Sequence, residues 1–185
     1  MDSVIGQGIG QVDNFLTQEQ IGFFNKFFND FQPDQIYKQD IDLALQLKFN
    51  VHHETQREHL EIDTNAFPEI FDPIQDLIRI IFQKEIRKQG FSCNLWQDHP
   101  FYVNNLHKDE SIVKNIIIVY LTNDPFCGTQ AWDYDTNTFV YCNPEFNRAF
   151  YLLNSDTVLH GMKYWVPQRF IRRSVYFNWV FEDQK

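Results

Sequence analysis

The pair His107 and Asp109, in the segment NNLHKDE, places an imidazole and a carboxylate two residues apart. These are side chains that transition metals bind in proteins. The spacing alone carries little information, because HHE at residues 52–54 and HLE at residues 59–61 repeat it. What distinguishes His107 and Asp109 is the apolar run IIIVYL (residues 116–121), which follows them and predicts a strand. Since residues i and i+2 of an extended segment point to the same side, both side chains are expected to face one cavity.

His160 supplies a second imidazole far downstream, at the end of the predicted strand TVLH. Two histidines and one carboxylate form the facial triad that suits Fe(II) and leaves coordination positions open. His107, Asp109 and His160 are therefore the candidate metal ligands and the candidate catalytic centre. The alternatives are a solvated surface loop for the first two residues and a core histidine bonded to backbone for His160.

The last predicted strand, RRSVYFNWV, has one polar side that carries Arg172, Ser174, Tyr176 and Asn178. Its other side is mostly apolar and is expected to pack under N-terminal helices. That second side carries Ile171, Arg173, Val175, Phe177 and Trp179. Arg172 and Ser174 could together bind a carboxylate, because a guanidinium is permanently charged and forks to carboxylate oxygens. The alternative for Arg172 is an ion pair with one of the 25 acidic residues.

The composition fits one domain, residues 1–185, with a sizeable core. A net charge of −9 gives no counterion-release drive toward nucleic acid or an anionic membrane, and RFIRR is the one basic candidate patch. The three scattered cysteines fit a reducing compartment. The first residues lack a signal-peptide pattern, and no apolar run is long enough to span a bilayer. These features predict a cytoplasmic protein without membrane segments.

Hydrophobic periodicity divides the chain into two parts. Residues 1–90 are predicted to be largely helical: TQEQ at residues 17–20 is a capping box for a first helix. A second helix is predicted to begin at DPIQ, with Asp72 as cap and Pro73 at the first position, and to end at Gly90. Residues 91–182 alternate short β-rich runs with turn clusters, which indicates an antiparallel sandwich or barrel. The predicted fold class is α+β, mainly β, with N-terminal helices packed on one sheet.

The run LHKDESIVKNIIIVYLTNDPFCGTQAW, followed by FYLLNSDTVLHG and FIRRSVYFNW, resembles a known family. It is similar to the double-stranded β-helix (jelly-roll or cupin-like) core of the Fe(II)/2-oxoglutarate-dependent dioxygenases, especially the small members related to prolyl 4-hydroxylases. The resemblance covers roughly residues 92–180. The matching features, in order, are His107/Asp109, the turn YLTN at residues 120–123, Gly128-Thr129, His160-Gly161 and Arg172-x-Ser174.

This resemblance implies a function and a role for each matched residue. Fe(II) would be held by His107, Asp109 and His160, with O2 at a remaining position. The distal carboxylate of the cosubstrate 2-oxoglutarate would meet Arg172, with help from Ser174 and Tyr120. The reaction would hydroxylate a peptide side chain or a small metabolite while 2-oxoglutarate is decarboxylated to succinate.

The sequence is compatible with several alternatives. Arg169 and Arg173 compete with Arg172 as carboxylate anchor, although both share the side of the strand that carries Val175. Tyr120 could be an aromatic of the core. The whole chain could be a catalytically inactive β-helix or cupin-like binding module, although cupins usually carry His-x-His. A nucleic-acid demethylase is disfavoured by the net charge of −9.

The substrate-binding segments are predicted in variable loops. The candidates are residues 50–65 and 133–147, which are rich in polar and aromatic side chains. The first of them includes VHHETQREHLEI (residues 51–62), which we interpret as a solvated or substrate-facing loop because no strand pattern follows it.

Overall fold

Strands form most of the regular structure of this chain. A computed structural model describes residues 8–49, 51, 54–87, 89–109, 115–122, 127–134 and 136–184. The helices are α1 (Gln18–Asn29), α2 (Leu43–Phe49) and α3 (Pro68–Phe82), with a 3-10 turn at Thr64–Ala66. The strands are β1 (Ile9–Val12), β2 (Gln35–Asp40), β3 (Glu54–Ile62), β4 (Ser92–Asp98), β5 (Asn115–Tyr120), β6 (Thr129–Asp133), β7 (Thr138–Tyr141), β8 (Ala149–Leu153), β9 (His160–Met162) and β10 (Arg172–Trp179).

Within the described residues, the strands form two antiparallel sheets. The large sheet has seven strands in the order β1-β8-β5-β10-β4-β3-β2, and the small one has three in the order β7-β6-β9. All paired neighbours run antiparallel. The predicted mainly β architecture with helices is therefore confirmed. Among the described residues, no helix has both the length and the apolar character needed to cross a membrane.

The main core lies between helices α1 and α3 and one face of the large sheet. Phe24 of α1 and Phe71 of α3 are fully buried there and contact each other edge to face, 6.1 Å between ring centroids. Val175, Phe177 and Trp179 of β10 belong to the same apolar cluster. The predicted parity of the last strand is thus confirmed on its apolar side, and the helices cover that face as expected.

A second, smaller core lies between the two sheets. It joins Ile116 and Ile118 of β5 to Ala131 of β6 and Val140 of β7. Residues on this face of the large sheet point toward the small sheet, so polar side chains on the same face of β3, β4 and β10 are directed into the space between the sheets.

Helix α1 begins as the sequence predicts. The Thr17 hydroxyl accepts a hydrogen bond from the Gln20 amide at 3.2 Å, and the Gln20 side chain accepts one from the Thr17 amide at 2.9 Å. These two bonds satisfy amides that have no partner within the helix.

Thr17→Ala is expected to lower the free energy of unfolding by about 1 kcal/mol, because it leaves the Gln20 amide without its cap. Urea denaturation of the two proteins measures the difference. Because Thr17 lies outside the candidate site, metal and cosubstrate affinities should stay at wild-type values. An unchanged unfolding midpoint would show that solvent replaces the cap at no cost.

The predicted bounds of the second helix are wrong. Helix α3 begins at Pro68 rather than Pro73 and ends at Phe82 rather than near Gly90. Pro68 is the proline at the first position, where the missing N–H removes no helical hydrogen bond, and Pro73 lies inside the helix. The next residue, Gln83, caps the helix C-terminus and adopts a left-handed backbone with φ of 53°. A non-glycine residue in this conformation gives no stop signal in the sequence.

The prediction that residues 1–90 are largely helical overlooks strands in this part of the chain, although α1, α2 and α3 all lie there. Three strands of the large sheet, β1, β2 and β3, come from this part of the chain. The segment VHHETQREHLEI is not a loop, because Glu54–Ile62 forms β3 and alternates between buried and more exposed positions. The usual strand signal, an alternation of apolar and polar residues, is absent because polar residues such as Arg57 and His59 occupy the buried positions. Residues 1–7 and the first two residues of the HHE pair, His52 and His53, lie outside the described part of the chain.

Candidate metal centre

Backbone pairing brings His107 and His160 together. Each donates its amide to the carbonyl of the other at 2.9 Å, which forms an isolated antiparallel bridge. The Asp109 amide donates to the Ser155 carbonyl at 3.2 Å. The segment 107–109 therefore lies beside residues 155–160, which lead into β9. His160 is the first residue of β9 and does not end a strand TVLH as predicted, because residues 154–157 form a turn.

The side chains of His107, Asp109 and His160 converge. Asp109 Oδ1 lies 3.7 Å from His107 Nε2 and 3.5 Å from His160 Nε2. One ligand atom from each residue lies within 4.8 Å of the others, a spacing that could hold a metal ion. This is the only such group of three found among the described residues. The HLE pair forms no such site: His59 bonds through Nδ1 to Asp34 and through Nε2 to Asn94.

Both imidazoles are oriented by backbone carbonyls. His107 Nδ1 lies 2.7 Å from the Asn105 oxygen, and His160 Nδ1 lies 3.0 Å from the Val158 oxygen. Because a carbonyl oxygen only accepts, each Nδ1 carries a proton, and in the neutral ring Nε2 is then the nitrogen that can bind a metal. Such hydrogen bonds fix the ring tautomer and orientation that metal-binding histidines require.

The protonation states also suit a metal site. Burial lowers the pKa of His107, the charges of His160 and Arg57 lower it too, and these effects outweigh the Asn105 carbonyl and Asp109. Burial of Asp109 by itself would raise the pKa of that carboxyl, but the nearby His160, together with Ser155 and His107, holds it below its ordinary value. Neutral imidazole and ionised carboxylate are the forms that bind metal.

Gly161 lets the chain segments of the two histidines approach closely. A Cβ at this position would lie 2.7 Å from the backbone oxygens of both Asn104 and Asn105. The Asn105 oxygen is the acceptor that orients His107. Any side chain at Gly161 must therefore displace the support of one candidate ligand.

Gly161→Ala is expected to weaken metal binding by about 10- to 100-fold, because it shifts the carbonyl that orients His107. Calorimetric titration with Co(II) or Fe(II) under nitrogen measures this. Gly22→Ala is the matched control, because a Cβ at Gly22 meets nothing within 4 Å. Equal metal affinity in the two variants would show that the Asn105 carbonyl does not position the site.

The cluster lines a cavity of about 380 Å³ between the sheets. Tyr176 and Asn178 of β10 line it as well, so the polar side of the last strand faces this space as its parity predicts. Other wall residues that carry polar or aromatic groups are Tyr37, Arg57, Asn94, Trp96, Tyr102, Asn104 and Thr129. The cavity therefore combines the metal-ligand cluster with polar groups that could orient a small ligand.

Arg172 and Ser174 are completely buried and do not line this cavity. Arg172 Nη1 donates to Asp98 Oδ2 at 2.5 Å, so the ion-pair alternative for this arginine is present in the structure. Its Nε and Nη2 atoms, and the Ser174 hydroxyl, have no hydrogen-bond partner among the described residues. Such orphaned buried groups fit an additional anion, which would supply the missing acceptors.

Tyr120 lies in the core between the sheets, fully buried. Its hydroxyl donates to the Thr129 hydroxyl at 2.7 Å and accepts from the Thr129 amide at 3.0 Å. Burial raises the pKa of Tyr120 far above its ordinary value. Thr129 lines the cavity, whereas Tyr120 does not and contacts the cavity wall through Thr129. Asn123, the last residue of the predicted turn, lies outside the described residues.

Arg57 is a wall residue that the sequence interpretation missed. Its guanidinium carbon lies 4.0 Å from the ring centroid of Trp96, and its Nη2 donates to the Tyr176 hydroxyl at 3.1 Å. Its Nε lies 2.8 Å from Asp98 Oδ1. The signal was the alternation in TQREHLEI, which puts Thr55, Arg57 and His59 on one side of a strand. Asp98 contacts both Arg57 and Arg172. No motif or periodicity in the sequence marks it as a buried residue near the site.

Comparison with known proteins adds information about the fold. No family model matches the chain, and no curated protein matches its sequence. Among solved structures, a prolyl-4-hydroxylase from Pseudomonas putida superposes with a TM-score of 0.60 at 14% identity, over 93% of this chain and 91% of that one. A 2OG-Fe(II) oxygenase family protein from Burkholderia pseudomallei gives 0.65 at 7% identity, over 94% and 85%.

A third similar structure holds both a metal and the cosubstrate. HygX from Streptomyces hygroscopicus, solved with nickel and 2-oxoglutarate bound, gives a TM-score of 0.60 at 10% identity, over 93% of this chain and 82% of that one. The chain has the fold of 2OG-Fe(II) oxygenases. The resemblance found in the sequence is thereby confirmed for the fold, and at these identities the likeness is one of architecture.

Proposed function

We propose that the chain is an Fe(II)- and 2-oxoglutarate-dependent dioxygenase that hydroxylates a peptide side chain or a small metabolite. The observation that carries this proposal is the convergence of His107, Asp109 and His160 at the wall of a cavity. The fold shared with 2OG-Fe(II) oxygenases supports the same reaction class. In this proposal the two sheets are the halves of a double-stranded β-helix, and the cavity lies between them.

His107, Asp109 and His160 are the proposed iron ligands. When bound, iron and 2-oxoglutarate supply the oxidation chemistry with O2, in which hydroxylation accompanies decarboxylation of 2-oxoglutarate to succinate. The protein holds the ligand atoms in place through the backbone carbonyls of Asn105 and Val158. His160, whose side chain is 4% exposed, is shielded from water, whereas His107, at 38%, lies toward the open side of the cavity.

Arg172, Ser174 and Tyr120 are the proposed cosubstrate residues. The Nε and Nη2 atoms of Arg172 and the hydroxyl of Ser174 support a carboxylate at this position, since none of these three groups has a hydrogen-bond partner among the described residues. Tyr120 would act through Thr129, because its hydroxyl is already bonded to that side chain and Thr129 reaches the cavity. Arg173 lies on the opposite face, where its Nε donates to Gln97, so it is not part of this proposal.

Succinate formation tests the proposal directly. The purified protein, given Fe(II), 2-oxoglutarate and O2 without a substrate, should release succinate slowly, and omission of either Fe(II) or O2 should stop it. His107→Ala is the control for adventitious iron chemistry. Equal rates in the two proteins would refute the assignment. Tight 2-oxoglutarate binding without turnover would favour a binding module instead.

A further inference from the structure

Three charged residues form a row across neighbouring strands of the large sheet. Asp98 on β4 is the direct cross-strand partner of Arg57 on β3 and of Arg172 on β10. Its Oδ1 lies 2.8 Å from Arg57 Nε, and its Oδ2 accepts from Arg172 Nη1 at 2.5 Å. We call Arg57, Asp98 and Arg172 the arginine–aspartate row. One carboxylate thus bridges two guanidinium groups.

The row is buried and carries an excess positive charge. The side chains of Arg57, Asp98 and Arg172 are 7%, 0% and 1% exposed. Among the described residues, Asp98 is the only carboxylate that forms an ion pair with either arginine. Two permanent cations and one carboxylate leave one net positive charge. A buried charge without a counterion is strongly unfavourable, so the row has a place for one more anion.

Arg57 is the end of the row that lines the cavity directly. It lines the same cavity as His107, Asp109 and His160, whereas Arg172 does not. No other described lysine or arginine lines this cavity. Trp96 and the Tyr176 hydroxyl hold the guanidinium in place, so its remaining donor atoms have a fixed direction.

We propose that Arg57 binds the distal carboxylate of 2-oxoglutarate jointly with Arg172, so that the arginine–aspartate row acts as one anchor. This inference rests on the proposed function and adds Arg57 as a cosubstrate-binding residue and Asp98 as a positioning residue. One carboxylate neutralises the whole row. A separate anion at each arginine would leave the row with a net negative charge, which burial disfavours in turn.

The test compares two ligands that differ only at the distal end. 2-Oxoglutarate has the second carboxylate, and 2-oxopentanoate has a methyl group there while keeping the keto acid that chelates iron. Each is titrated calorimetrically, under nitrogen, into the Fe(II)-loaded protein. Arg57→Gln is expected to weaken 2-oxoglutarate binding by at least about 10-fold and to leave 2-oxopentanoate binding unchanged, because the lost interaction is a charge-assisted hydrogen bond.

Arg173→Gln is the matched control. It removes an arginine from the opposite face of β10, where the side chain donates to Gln97 rather than facing the cavity. It should leave the affinities for both ligands at wild-type values. If Arg57→Gln does not fold, Arg57→Lys replaces it. Lysine keeps a positive charge beside Asp98 but cannot bind a carboxylate through two parallel N–H groups. We then expect the affinity for 2-oxoglutarate alone to fall about threefold or more.

The outcomes separate this inference from the proposed function. Unchanged 2-oxoglutarate affinity in the Arg57 variant overturns the joint anchor while the dioxygenase assignment stands. An equal loss for both ligands also overturns it, because Arg57 would then act through the structure of the site. Failure of the wild-type protein to bind 2-oxoglutarate refutes the proposed function, and the joint anchor with it.

Discussion

His107→Ala is expected to lower the affinity for Fe(II) at least about 100-fold, because it removes one of three ligands, whereas loss of a supporting residue alone costs 10- to 100-fold. Asp109 and His160 would remain, but two ligands hold a divalent ion much less firmly than three. Calorimetry or equilibrium dialysis under nitrogen measures the constant. Succinate formation should fall to the level without enzyme.

His99→Ala is the matched control for this variant. His99 also pairs with a carboxylate, since its Nε2 lies 3.0 Å from Glu58 Oε2, but it does not line the cavity of the metal cluster. Its removal should leave Fe(II) affinity unchanged. If both variants bind Fe(II) as tightly as the wild-type protein, the ligand assignment is wrong.

Asp98→Asn is expected to lower the free energy of unfolding by about 3–5 kcal/mol, because it leaves the guanidinium groups of Arg57 and Arg172 buried without their shared counterion. The amide keeps the size of the carboxylate, so the change tests charge rather than packing. Urea denaturation without added ligand measures the difference.

The exposed pair of Asp76 and Arg79 offers the comparison for Asp98. Their contact of 2.6 Å lies on the surface of α3, where the Asp76 side chain is 64% exposed. Asp76→Asn should cost less than about 1 kcal/mol, because solvent screens such pairs. Equal effects of the two substitutions would show that the arginine–aspartate row is hydrated and holds no uncompensated charge.

The sequence predicted the features whose signals are local. The capping box of Thr17 and Gln20 depends on four consecutive residues, and it forms. The alternation of the last strand directs Phe177 to the helices and Tyr176 to the cavity, as its parity predicts. The proximity of His107 and His160 was predicted from the resemblance to a family whose motifs occur in the same order. The separation of 53 residues between the two histidines gives no local signal of this contact.

The features that the sequence missed depend on long-range pairing. Strand β3 is buried through polar side chains, so a search for apolar alternation passes over it. Arg57 and Asp98 become neighbours only when β3 pairs with β4, and Asp98 then forms a buried ion pair with Arg57. Helix α3 ends early because Gln83 adopts a left-handed backbone conformation, and glutamine is not a residue type that predicts this conformation.

A crystal of the protein soaked under nitrogen with Fe(II) and 2-oxoglutarate would test the iron ligands and the cosubstrate anchor together. We expect one metal ion bound by His107, Asp109 and His160, with the distal carboxylate of 2-oxoglutarate in contact with Arg172 and Arg57. A metal ion at other residues, or 2-oxoglutarate absent from the cavity at saturating concentration, would contradict it.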